Sequence, residues 1–128
     1  MNKAVYDTRF FIEFYYSKDS ALLEKIRKEK SRREKYVSAI VIHELYKLSL
    51  ANEGRETAKL KVTFLKQEFK IIAVDNQIAE TSAELRQKYK LSMGDSMIAA
   101  TALSLSAVCF SDDPHFSQIE EIKTVWFK

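Results

Sequence analysis

Short runs of β-branched and aromatic residues alternate with stretches of helical periodicity along this chain, and nothing else restricts its fold so tightly. Residues 3–7 are too few for a helix and read as a first strand that ends at Asp7. Residues 35–37, 71–74, 107–110 and 123–126 read as further short strands. Helices are expected over residues 8–16, 21–34, 38–52, 55–69, 75–89 and 96–106, with Ser38 and Asp75 as caps. The turn Ser111-Asp112-Asp113-Pro114 leads into a short helical piece. Two Gly and one Pro leave few breakers, which favours long helices with short connections. Strands separated by helices give an α/β fold, a mainly parallel sheet covered on both faces.

Apolar spacing points Leu22, Leu23 and Ile26 inward from one helix, and Ile40, Ile42, Leu45, Leu48 and Leu50 from the next. Met97, Ile98, Ala99, Ala100, Ala102 and Leu103 make the helix over 96–106 small, apolar and suited to burial. Phe10, Phe11, Phe14, Tyr15 and Tyr16 suit a core or a dimer contact, although such rings could also stack on bases.

At 128 residues the chain has the size of one domain, residues 1–128, long enough to bury a core. Its 46% hydrophobic and 30% charged content argues against intrinsic disorder. The first residues meet charge too soon for a signal peptide, and no window approaches the roughly 20 apolar residues of a membrane span. Cys109 is the single cysteine, so no intramolecular disulfide forms, and it reads as a buried strand residue. A reducing cytoplasm is the expected compartment.

Net charge is only +3, but residues 24–35 hold seven Lys/Arg against three Glu, a net +4. The rest of the chain is therefore slightly acidic. Lys25, Arg27, Lys28, Arg32 and Arg33 could attract a polyanion, or could simply form a solvated helix face.

The acids are more informative. Ligands of an open parallel sheet bind beyond the carboxyl ends of its strands. Asp7 ends the first strand, and Asp112 and Asp113 follow the strand over 107–110. Glu44 lies early in the helix begun at Ser38, and Asp95 opens a helix otherwise almost free of charge. Crowded carboxylates repel, and hard cations such as Mg²⁺ relieve that repulsion through oxygen ligands. A cation so held activates water and steadies charge on phosphorus, the chemistry of a nuclease. Taken singly, each acid has another reading: Asp7 as a turn residue, Asp95 as a cap, Glu44 as a solvated side chain.

In their order these residues resemble the PIN-domain ribonucleases, especially the VapC-type toxins of toxin–antitoxin pairs. Val5-Tyr6-Asp7-Thr8 resembles the family's opening block, and residues 37–45 its second, with Glu44 in the acidic place. Asp95-Ser96-Met97-Ile98-Ala99-Ala100-Thr101-Ala102 is similar to the family's Asp-x-x-Ile-Ala-Ala-x-Ala helix. Ser111-Asp112-Asp113-Pro114-His115-Phe116 resembles its closing Thr-x-Asp-x-x-Phe.

The resemblance implies a three-layer α/β/α fold with about five parallel strands, and Mg²⁺- or Mn²⁺-dependent endonucleolytic cleavage of RNA. Asp7, Glu44, Asp95 and Asp113 would be the acidic, metal-holding residues, with Asp112 able to share or replace the role of Asp113. Thr8 and Ser111 match hydroxyl residues that buttress the site. A homodimer and an inhibiting antitoxin protein are implied as partners. Arg9 departs from the pattern, and could contact a phosphate, pair with Asp7 or Glu13, or point to solvent.

Other chemistries find little support. His43-Glu44 begins like a zinc-protease HExxH helix, but position 47 is Lys. His43 reads as a helix-packing residue and His115 as a surface residue or one supporting the site from outside. No Gly-rich phosphate loop and no convincing catalytic triad is present. Two further functions keep the same fold: a housekeeping nuclease that processes RNA precursors, and a non-catalytic RNA-binding module.

Overall fold

The computed structural model describes residues 2–127. The described elements follow as β1 (Lys3–Tyr6), α1 (Thr8–Tyr16), α2 (Ser20–Glu29), β2 (Glu34–Ser38), α3 (Ala39–Glu53) and α4 (Arg55–Glu68). They continue as β3 (Lys70–Ile72), α5 (Asn76–Tyr89), α6 (Met93–Leu105), β4 (Val108–Phe110), α7 (Pro114–Ser117) and β5 (Thr124–Val125). The strands form one sheet in the order β3-β2-β1-β4-β5, and each neighbouring pair is parallel. The expected α/β fold with a five-stranded parallel sheet is therefore present.

Strand order explains where a site can form. The chain moves from β1 outwards to β2 and β3, then returns past β1 to β4 and β5. The order reverses between β1 and β4, and a crevice opens at such a switch point beyond the carboxyl ends. The Asp7 amide donates to the Phe110 carbonyl at 3.1 Å, which ties the ends of these two strands together.

By the right-handed rule for crossovers between parallel strands, this strand order puts α1 to α4 on one face of the sheet and α5 to α7 on the other. On the first face the Tyr6 ring meets Phe10, Phe69 and Phe110 at centroid distances of 4.7, 5.5 and 5.2 Å. Full burial of rings such as Phe10 and Phe110 contributes about 2–3 kcal/mol each. On the second face α6 lies along β1, β2 and β4, with Ile98, Ala99, Ala100 and Ala102 buried. Small side chains let this helix approach the sheet closely. Cys109 is buried as expected, and burial pushes its thiol well above the usual range.

Several local expectations need correction. The second helix ends at Glu29 rather than near 34, because the chain turns over residues 30–33 and sends Arg33 inward to Glu29. Leu50 is exposed: the buried line of α3 runs through Val41, Leu45 and Ser49, and the next residue lies about 100° further round. Leu103 likewise leaves the buried face of α6 after Ala102. His43 is exposed rather than packed. Of the aromatic cluster, Phe10 and Phe11 enter the core, whereas Phe14 and Tyr15 are half-buried and Tyr16 is exposed.

Gly54 links α3 directly to α4 at φ +88°, in the left-handed region that favours glycine. Among the described residues no helix is long and apolar enough to cross a membrane.

Candidate metal centre

Each acid of interest is delivered to the carboxyl edge by a different element. Asp7 follows β1 directly and is the most buried of them, 3% exposed. Its Oδ2 accepts a 2.6 Å hydrogen bond from Ser111 Oγ, just beyond β4. The same hydroxyl oxygen accepts the Asp113 amide at 3.0 Å, so Ser111 couples the two loops. Burial pushes the Asp7 carboxyl up to about 6, the bond from Ser111 opposes that, and the charges of Asp95 and Glu44 add to the rise.

Asp95 sits in the first turn of α6, but it is not the cap. Ser92 caps the helix and its Oγ accepts the Asp95 amide at 3.2 Å. The carboxylate of Asp95 also interacts with Ser92. Burial raises its pKa, and Asp113 and Glu44 raise it further, while Ser92 and His115 hold it down in part.

Glu44 extends from α3, and its Oε1 accepts a 2.5 Å hydrogen bond from Thr8 Oγ1. Its other oxygen passes over Gly94, where a Cβ would stand only 2.8 Å from Oε2. Glycine at 94 is what admits this carboxylate. Asp113 caps the short α7, its Oδ1 accepting the His115 amide at 2.9 Å. Among the described residues one group of three potential metal donors converges: Asp95, Asp113 and His115, with donor atoms within 4.8 Å of one another.

The structure thus brings Asp7, Glu44, Asp95 and Asp113 to one edge, with Thr8 and Ser111 supporting two of them. Asp112 points elsewhere. Arg9 donates to its two carboxylate oxygens at 3.1 Å each, a partner that sequence reasoning did not foresee. Sequence reasoning also set His115 aside, although its place two residues after Asp113 was visible. The role of Gly94 carried no signal beyond its position beside Asp95.

The basic stretch divides. Arg33 and Glu29 pair at 3.1 Å, Lys30 pairs with Glu68, and Arg27 with Glu24 at 3.2 Å. Lys25, Lys28, Arg32 and Arg33 line a groove of about 520 Å³, with Phe110, Trp126 and Phe127 among its other walls.

Fold and site together define an α/β protein with an acidic cluster at the switch point of a parallel sheet. The family model described as PIN domain matches residues 4–122, and the chain belongs to that family. Among solved structures, VapBC2 from Rickettsia felis bound to a promoter DNA fragment matches with a TM-score of 0.81 at 15% identity, over 98% of this chain and 99% of that one. DNA-bound VapBC from Salmonella typhimurium matches with 0.81 at 22% identity, over 98% of both chains. VapC20 from Mycobacterium tuberculosis, described as a Sarcin-Ricin loop cleaving toxin, matches with 0.74 at 17% identity, over 90% of this chain and 93% of that one. A search of curated proteins gave no significant match.

Proposed function

We propose that this chain is a metal-dependent endoribonuclease, acting as the toxin of a toxin–antitoxin pair. The carrying observation is the convergence of Asp95 and Asp113 beside the buried Asp7 at the switch point of the sheet. Family membership supports nuclease chemistry, and the likeness to VapBC complexes and to an RNA-cleaving toxin supports the narrower assignment.

The donor set is rich in carboxylate oxygen and suits Mg²⁺ or Mn²⁺. Asp95 and Asp113 would hold the ion, with Asp7 and Glu44 completing the acidic wall. A cation bound there supplies a more acidic water and neutralises charge on the phosphate. The protein's own residues prepare that chemistry. Ser111 fixes the direction of Asp7, and Thr8 fixes Glu44, so neither carboxylate has to reorganise on binding. Asp7 and Glu44 are then oriented acceptors for a proton. Lys25, Lys28 and Arg32 along the groove, with Arg27 on the same basic stretch, would contact the phosphates of RNA, whereas Arg33 is held by Glu29 and Arg9 by Asp112.

The same reading assigns the chain as one domain, residues 1–128, working in the cytoplasm as a homodimer and restrained by an antitoxin protein. Cleavage of structured and unstructured RNA with Mg²⁺ or Mn²⁺ tests it, beside an Asp7→Asn/Asp95→Asn double variant. Cutting by the wild type and none by the variant is the expected result. Equal cutting by both would place the chemistry elsewhere, and RNA binding without any cutting would favour a binding module. Growth arrest on expression, relieved by a co-expressed small protein, separates a toxin from a housekeeping nuclease.

A further inference from the structure

Asp113 and His115 share one short turn, and both side chains approach Asp95 from it. His115 Nδ1 lies 3.0 Å from Asp113 Oδ1 and 3.8 Å from Asp95 Oδ2. Two ligands held at about 2.1 Å from one ion stand at most about 4.2 Å apart. Both imidazole separations already fall within that limit. With its side chain 66% exposed, the ring is reachable from solvent and can settle onto an ion without disturbing the core.

The geometry points to His115 as a third protein ligand of the ion held by Asp95 and Asp113, one that tilts the site towards transition ions such as Mn²⁺ over Mg²⁺. This inference rests on the metal reading above and adds the choice of ion to it. Mg²⁺ is hard, keeps its waters and favours oxygen alone, whereas imidazole nitrogen suits first-row transition ions. Two carboxylates admit either ion. One nitrogen separates them. His115 thus governs which ion is preferred, while Asp95 and Asp113 govern whether an ion binds.

The test uses the full chain, stripped by chelator, with Mn²⁺ alone as the spectroscopic probe. Pulsed electron paramagnetic resonance of the bound Mn²⁺ is expected to show hyperfine coupling to ¹⁴N of an imidazole. The coupling disappears in His115→Gln; His43 is the only other histidine, so this loss assigns the signal. Calorimetric titration is expected to show Mn²⁺ affinity falling about 10-fold or more in that variant. Mg²⁺ affinity shifts by less than about 3-fold. Mn²⁺ bound without nitrogen coupling, or an equal fall for both ions, overturns the role of His115 and leaves the metal centre standing. No binding of either ion by the wild type overturns both. His115→Ala, with its melting temperature recorded, checks that the fold is intact.

Discussion

Tyr6 and Asp7 are neighbours in sequence, yet the two sides of the sheet treat acid in opposite ways. On the Tyr6 side a glutamate, Glu29, is buried at 4% exposure, and its Oε2 accepts from the Tyr6 hydroxyl at 2.8 Å and from Arg33 at 3.1 Å. Arg33 also lies over the Phe110 ring, 5.5 Å from its centroid. Burial and the nearby Glu29 push the Tyr6 hydroxyl well above its usual range. On the Asp7 side a buried acid meets further acids, and its protein support is the hydroxyl of Ser111 and the Thr8 amide. Glu29 has its counterion in the chain. Among the described residues Asp7 has no ion pair, Arg9 acting on it only weakly from a distance, and an acid left in that state calls for a proton or a cation from outside.

The largest expected effect breaks the first half of this contrast. Arg33→Ala leaves buried Glu29 with only the more distant Arg32, at 4.0 Å, as a cationic partner and is expected to cost about 3 kcal/mol of stability. Urea denaturation measures it, and a loss under about 1 kcal/mol would mean that Tyr6, Arg32 and water suffice for Glu29.

The second prediction concerns pH. Asp7 has its pKa raised from 3.8 to about 6. Between those values the folded chain keeps a proton that the unfolded chain has lost, so stability falls as pH rises through the window. The contribution of Asp7 is about 3 kcal/mol, and Asp95 is shifted in the same direction. Glu53, held down to about 2 chiefly by Lys61, adds a rise in stability that ends near its ordinary 4.5, so it opposes the fall only at the lower edge of this window. Thermal melting in chelator should show the fall from about pH 4 to 6, and Asp7→Asn or added Mn²⁺ should flatten it. A curve that rises across the window would contradict an acid strained by its neighbours.

The smallest effect has the opposite sign to the first. Asp95→Asn removes one member of the repelling set and is expected to stabilise the cation-free protein by about 1 kcal/mol. An unchanged or lower melting temperature would show that the acids are not in conflict.

Much of the site was legible because its residues carry local signals. Asp7 ends a β-branched run, Ser38 and Asp75 both cap helices as their sequence context implies, and Asp95 interrupts an apolar helix. What stayed hidden depends on contacts distant in sequence. Residues 30–33 are as polar as the helix before them, and the helix ends early where Arg33 turns in to Glu29 and Glu34 joins the sheet beside β1. Arg9 finds Asp112 over a hundred residues away. Leu50 and His43 differ from the expectation by a fraction of a helical turn, which spacing alone does not resolve.

Gly94 gives the centre an unusual kind of fragility. The backbone there needs no special angle, and alanine would in fact favour a helix by about 1 kcal/mol. Yet one methyl group would press on the Glu44 carboxylate that Thr8 holds in place. A lineage drifting towards greater robustness would therefore meet Gly94→Ala as an improvement in folding and a disturbance of the acidic wall at once. An intact fold with a displaced Glu44 carboxylate would thus lie a single hydrogen-to-methyl exchange away from this chain.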